Sequence, residues 1–289
     1  SCAKCTDSDQ PAHLRIPIMV AVGNIDNGTD WHTALDGIDT VIHLAARVHV
    51  MQESEADPVS AFRQVNVDGS CALARQAAVA GVRRLIYISS IKVNGERTRG
   101  TPFCADDDTT PEDPYGQSKW EAEQALKEIA QKTGLELVII RPVLIYGSGV
   151  KGNLQRLTGL IRRGLPLPLA SVSNRRSLLS IDNLLDFLRC CIDHPAAAGE
   201  VFLVADGNDL STPQLIRKLA TAMGLSARLI HMPVGLLQFA GRITGRSAII
   251  ERLTDDLQVD IEKNKKLLGW KPVIDVDSAL AAMVNDDPR

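Results

Sequence analysis

Short apolar runs separated by helix-length amphipathic stretches are the feature that most narrows what this chain can fold into. Ile16–Val22, Thr40–Leu44, Leu85–Ile88, Leu137–Ile140 and Val201–Val204 are brief and rich in β-branched residues or leucine. Strands buried on both faces of a parallel sheet have that composition. Between them, Asp57–Ala80 and Gln117–Thr133 have helical spacing and helix-forming residues. Asp57 before Pro58 suits an N-cap and first helical position. In the second stretch Ala122, Ala125, Leu126 and Ile129 share one stripe, and Glu121, Gln124 and Glu128 face solvent. Gly134 stands where a helix end favours a left-handed residue. The alternation predicts an α/β fold with a doubly wound parallel sheet. Past Gly147 the pattern changes. Pro166 and Pro168 punctuate loops, and the helical stretches Pro213–Gly224 and Val234–Gly245 no longer alternate regularly with strands. Residues 1–147 are therefore expected to carry the sheet and residues 148–289 a smaller lobe, with the strand near 201–204 returning to the sheet.

A length of 289 residues fits one large α/β unit, or one plus a small lobe. A formal net charge of −3 and only 4% aromatic residues argue against a nucleic-acid partner. No apolar run reaches the roughly 18 residues of a spanning helix, and no signal-peptide pattern opens the chain. These features predict a cytoplasmic protein with no membrane partner. Cys2 and Cys5 form a C-x-x-C, but a zinc site needs four ligands and no second pair follows. The six histidines are scattered without acidic partners at useful spacing, so no metal site is expected. His43 reads as a packed strand residue.

The chemistry is concentrated around Tyr115 and Lys119. Four residues apart on a helix, they share a face, so the ammonium can sit beside the phenol. A nearby cation favours phenolate and makes tyrosine a usable base. Upstream, the strand ending at Ser89-Ser90 brings a hydroxyl to a carboxyl end, where open α/β sheets bind ligands. Thr110–Pro114 is a turn delivering the chain to the tyrosine helix, and Arg141-Pro142 and Tyr146-Gly147 follow a further strand. Ser, Tyr and Lys in this arrangement form a proton-transfer set for a carbinol or carbonyl.

With these residues in place, the chain resembles the extended short-chain dehydrogenases/reductases, the NAD-dependent epimerase/dehydratase family, and within it the nucleotide-sugar 4-epimerases and 4-reductases. The matching text is Asp36–Ala46 (DGIDTVIHLAA), Gln64–Ser70 (QVNVDGS), Leu85–Gly95 (LIYISSIKVNG), Asp113–Glu123 (DPYGQSKWEAE), Ile139–Gly149 (IIRPVLIYGSG), Asn174–Leu184 (NRRSLLSIDNL) and Lys265–Pro272 (KKLLGWKP). It runs from about residue 16 to near the C-terminus. The resemblance implies a Rossmann-like fold in which residues 1–147 bind NAD or NADP and the later lobe binds the nucleotide sugar. Ser90, Tyr115 and Lys119 would be the catalytic set. Tyr115 would shuttle the proton at the sugar hydroxyl, Ser90 would hydrogen-bond that oxygen, and Lys119 would hold the nicotinamide ribose. Asn24 and Ile25 would lie at the adenine. Leu44, Ala45 and Ala46 would line the cofactor, with Asn66, Ser89 and Pro142 also on its side. Lys92, Asn153 and Arg176 would join Ser90 on the substrate, an arginine fork suiting diphosphate oxygens.

Two departures accompany the resemblance. Val93-Asn94-Gly95, with Lys92 beside it, replaces the V-Y-G many epimerases carry after the serine strand. The family's opening strand, G-x-x-G-x-x-G turn and helix, whose backbone N–H groups bind the pyrophosphate, has no match; the glycines before Asp36 are Gly23 and Gly28. The expectation is a piece of a longer protein entering the fold about forty residues late, which alone binds NAD weakly and does not turn over sugar. The expected reaction is nucleotide-sugar 4-epimerisation with NAD, on UDP-glucose or a UDP-N-acetylhexosamine. One alternative is a 4-ketoreductase making a UDP-deoxy-N-acetylhexosamine for surface polysaccharide. The other is a non-catalytic nucleotide-binding relative. The family often pairs as homodimers through its tyrosine helix.

Overall fold

The computed structural model describes residues 18–48, 57–149 and 152–285; Cys2, Cys5 and the start of the Ile16–Val22 run lie outside them. In chain order the strands are β1 (Thr40–His43), β2 (Arg84–Ile88), β3 (Glu136–Pro142), β4 (Leu144–Tyr146), β5 (Leu178–Ser180) and β6 (Val201–Val204). β1, β2, β3 and β6 pair in parallel in that order, and β4 and β5 make a second parallel pair. The helices are α1 (His32–Leu35), α2 (Pro58–Arg63), α3 (Ser70–Val79), α4 (Pro114–Thr133), α5 (Asn153–Arg162), α6 (Ile181–Asp193), α7 (Thr212–Ala222), α8 (Val234–Ile243), α9 (Ser247–Thr254), α10 (Glu262–Leu268) and α11 (Val276–Asn285).

Strand residues alternate between two helical layers, as the period of two requires. Leu85, Tyr87, Leu137 and Ile139 pack with Leu73 and Ala77 of α3 and Ala122 and Leu126 of α4. Ile86, Val138 and Ile140 pack with Phe187, Leu188 and Cys191 of α6. With both faces covered, the sheet is doubly wound, and its strands read as unbroken apolar runs. Phe187 meets Phe202 and Trp270 edge-on, with ring centroids 5.5 and 4.8 Å away. A further core joins α5, α7, α8 and α11 around Tyr146 and Leu178. Asp206, just past β6, links the lobe to the sheet. It accepts from Tyr146 Oη (2.8 Å), Ser180 N (2.8 Å) and Asn183 Nδ2 (2.7 Å).

Local signals act where expected. Asp57 caps α2 by accepting from Ser60 N, and Gly134 ends α4 at φ 78°. α4 starts three residues before Gln117, because Asp113 caps it and Pro114 fills its first position. The expected helix from Asp57 to Ala80 is interrupted by a π-helical turn, Gln64–Gly69, between α2 and α3. There a Cβ on Gly69 would lie 2.6 Å from Ile25 Cγ2, so only glycine admits the Asn24–Ile25 segment. Buried Arg84 is accounted for by the end of α6, whose orphan carbonyls it satisfies. Its Nη1 donates to Cys191 O (2.6 Å), Ile192 O (2.9 Å) and His194 O (3.0 Å).

Among the described residues the strand expected at Ile16–Val22 is absent. Residues 18–22 are irregular, with Ile18 90% and Met19 96% exposed. β1 pairs only with β2 among the described residues, so the run has no ladder to join. An apolar run without ladder or cover does not hold as a strand. Among the described residues no helix is long and apolar enough to cross a membrane.

Candidate active site

The site lies where the carboxyl end of β2 meets the first turns of α4. Ser89 N donates to Ile140 O at 2.7 Å, tying the strand end to β3. Ser90 remains extended and caps a short 3₁₀ turn, its Oγ accepting from Lys92 N at 3.3 Å. Asp113 accepts from Gly116 N at 2.6 Å, which starts α4. The Lys92 ammonium ties these two starts together by donating to Asp113 and, at 2.7 Å, to Glu96. Gly116 permits the approach, since a Cβ there would sit 2.8 Å from Lys92 O. Ser90 thereby faces Tyr115. Burial and the Asp113 charge push the phenol above its ordinary value, while the Ser90 hydroxyl pulls it down.

Lys119 follows one turn later, 1% exposed, with Nζ 4.1 Å from the centre of the Tyr87 ring. Burial lowers its pKa to about 7, against the opposing charge of Glu123. This corrects one expectation. Lys119 does not bring the Tyr115 phenol below its ordinary range in the protein alone, because burial disfavours both charged forms.

Asn66, fully buried in the π turn, joins the loop after β1 to α4. Its Oδ1 accepts from Arg47 N (2.8 Å), and its Nδ2 donates to Arg47 O (3.0 Å) and Ser118 Oγ (2.9 Å). Ser118 Oγ in turn donates to Tyr115 O at 2.8 Å. Ala45 and Ala46 are half-buried on that loop and Leu44 is exposed. Pro142 is buried at the end of β3, opposite Val204. Asn24 is exposed, on a segment that Gln76 of α3 holds through Thr29 O and Trp31 N, both at 2.8 Å. His43 is 4% exposed against Ser70 and reads as packed.

Several expected ligand residues are engaged inside the protein. Ser89 Oγ is turned inward and donates to Glu123 Oε1 at 2.5 Å, which withdraws it from a cofactor. The ion pairs of Lys92 likewise make it a brace between loop and helix. Arg176 is half-buried in the lobe, its Nη1 donating to Asp255 O at 3.1 Å. Asn153 opens α5, and its side chain lies outside the described residues. Arg97 and Arg242, which no sequence pattern singled out, line a cleft of about 170 Å³ with Gln238, Ser247, Glu251 and Asp255. Glu123 and Arg141 were also missed as a unit. The available signal was a third polar residue continuing the four-residue spacing from Tyr115.

Together these elements define a hydroxyl, phenol and ammonium at the carboxyl end of a parallel α/β sheet, the layout of a dinucleotide-dependent proton-transfer site. The chain belongs to the NAD dependent epimerase/dehydratase family, whose model matches residues 3–205. It is 48% identical over 257 residues to a UDP-glucose 4-epimerase of Vibrio cholerae, covering 88% of this chain and 78% of that one. It is 29% identical over 249 residues to an N-acetyl-alpha-D-glucosaminyl-diphospho-ditrans,octacis-undecaprenol 4-epimerase of Escherichia coli O157:H7, covering 82% and 72% of the two chains. The fold also matches a UDP-glucuronic acid 4-epimerase of Bacillus cereus solved with NAD. There the TM-score is 0.73 at 20% identity, with 90% of this chain and 77% of that one covered.

Proposed function

We propose that this protein is a nucleotide-sugar 4-epimerase that uses NAD and takes a UDP-hexose or UDP-N-acetylhexosamine. The observation that carries this reading is the 48% identity to a UDP-glucose 4-epimerase over 88% of the chain. Ser90 beside Tyr115, with Lys119 one turn further along α4, supports it. The residues present fit the nicotinamide end of such a cofactor. A buried ammonium with no ion pair among the described residues suits ribose hydroxyls, and small side chains at Ala45 and Ala46 leave room beside the loop that Asn66 pins. No glycine-rich turn for the pyrophosphate occurs among the described residues.

NAD, when bound, supplies the oxidation and reduction at the sugar C4. The residues of the chain handle the proton. Tyr115 accepts it from the C4 hydroxyl and returns it, Ser90 Oγ hydrogen-bonds the same oxygen, and Lys119 orients the ribose and favours phenolate in the assembled site. In this reading residues 1–147 hold the cofactor and the lobe of residues 148–289 takes the nucleotide sugar.

Stoichiometry provides the test. UDP-hexoses and UDP-4-keto sugars are supplied, and reduced nicotinamide is followed by absorbance. Inversion at C4 without added reductant is expected. Consumption of one NAD(P)H per product would replace this reading with a 4-ketoreductase.

A further inference from the structure

Tyr115 and Lys119 share their face of α4 with Glu123, one turn further on. Glu123 is fully buried, and its spacing makes it the natural ion-pair partner of Lys119. That pair does not form. Arg141 of β3 takes the carboxylate side-on instead, Nε donating to Oε1 at 2.9 Å and Nη2 to Oε2 at 2.6 Å. Ser89 Oγ donates to Oε1 as well. Arg141 is itself buried and oriented from its other side, Nη1 donating to Asn94 Oδ1 at 3.0 Å. Asn94 Nδ2 donates onward to Cys104 O at 3.2 Å.

One carboxylate thus joins the end of β2, the middle of α4 and β3. A planar fork on a carboxylate is the strongest and most directional ion pair available to side chains. It leaves Lys119 against the Tyr87 ring, without an ion pair among the described residues. We propose that Arg141 and Glu123 are positioning residues: Arg141 sequesters Glu123 so that Lys119 keeps its ammonium for the ligand side of the site, and the shared carboxylate holds the Ser90 strand end against the Tyr115 helix. The inference rests on reading the site as a proton-transfer site, and deepens that reading. Removing Arg141 would leave a buried carboxylate whose nearest available cation is Lys119, and uncompensated buried charge finds a partner where it can.

The groups that act on Lys119 are Glu123 on its own helix, His43 from β1 and Tyr87 from β2, while Arg141 from β3 is held on Glu123. The test uses Arg141→Met, Glu123→Gln and the double variant in the full chain, with two readouts. The first follows ¹³C-labelled lysine ε-methylenes by NMR, with Lys119→Arg giving the assignment. Lys119 should titrate near 7 in the starting protein. Arg141→Met should raise that midpoint by about one pH unit or more, and adding Glu123→Gln should bring it back down. Glu123→Gln alone, which keeps the shape of the site, should lower it, and this variant carries the test should Arg141→Met fail to fold. The second readout is turnover with a UDP-hexose and NAD. Arg141→Met should lose about tenfold in kcat, and the double variant should lose less than the two single losses combined, a coupling of the size neighbouring residues show. Additive losses in turnover, or a Lys119 titration that ignores the substitutions, would overturn the proposal. In the complete protein, a Lys119 titration that follows the pattern while neither the variants nor the starting protein turns over sugar would count against the epimerase reading and sustain this one.

Discussion

Acid should destabilise this protein through His43, and glutamine at that position should remove the effect. His43 ends β1 with its side chain buried; Nε2 lies 2.9 Å from Ser70 Oγ, and the ring centroid lies 5.8 Å from that of Tyr87. Burial, and after it the charge of Lys119, lower its pKa from 6.5 to about 4. The unfolded chain binds this proton near pH 6.5 and the folded chain only near 4. Between those values the unfolded state holds more protons, so stability is whole above the upper value and falls as the pH drops toward the lower. The gap is worth about 3 kcal/mol, a large share of a typical net stability of about 5–15 kcal/mol. The imidazole is almost wholly enclosed, so solvent screening takes little from that figure. Urea unfolding followed by tryptophan fluorescence, from about pH 7.5 to about pH 4.5, compares the protein with His43→Gln. Carboxylates that titrate in the window are common to both and cancel in the difference. That difference should shift in favour of the variant by about 2–3 kcal/mol at the acid end. Parallel stability curves for the two proteins would refute the reasoning.

In the complete protein, Tyr115→Phe should cut turnover by about 10²–10⁴, the range for a general acid/base, with little change in substrate affinity by titration. Near-normal turnover would remove Tyr115 from its role. Gly116→Ala gains up to about 1 kcal/mol in helix propensity, but its methyl would meet Lys92 O at 2.8 Å and Asp113 Oδ1 at 3.1 Å. The backbone contact should win, giving a net loss of about 1–3 kcal/mol in thermal unfolding and a larger drop in turnover; a stabilised, active variant would contradict this. Asp206→Ala strands the donors of Tyr146, Ser180 and Asn183. A loss of about 3 kcal/mol is expected in denaturant unfolding, and a midpoint unchanged from the starting protein would show that the joint does not hold the lobe.

Much of the site was legible in the sequence because its signals are local. Tyr115 and Lys119 share a face through helix geometry alone, and Asp113, Pro114 and Gly134 bound that helix by their own backbone preferences. The roles of Ser89 and Lys92 were not legible. Both stand at ligand-facing places in the chain, yet a hydroxyl or ammonium goes to whichever partner lies nearest. For Ser89 that partner is Glu123, 34 residues away, and for Lys92 it includes Asp113, 21 residues away. The Ile16–Val22 run failed for the opposite reason. Its composition suits a strand, but strand formation requires a neighbouring ladder, which composition does not report.

Periodicity and capping along the chain determined the β-α-β alternation, the strands that became β1, β2, β3 and β6, and the placing of Tyr115 and Lys119 one turn apart on one helix. These depend on contacts within a few residues and on which faces are apolar. Only the tertiary structure decided that α6, from beyond Gly147, covers one face of the sheet, that Asn66 clasps the backbone of Arg47, and that Arg141 rather than Lys119 holds Glu123. Each of those choices is made where three separate elements meet. There the distance between charges and the loss of water set the outcome, and neither quantity exists until the chain has folded.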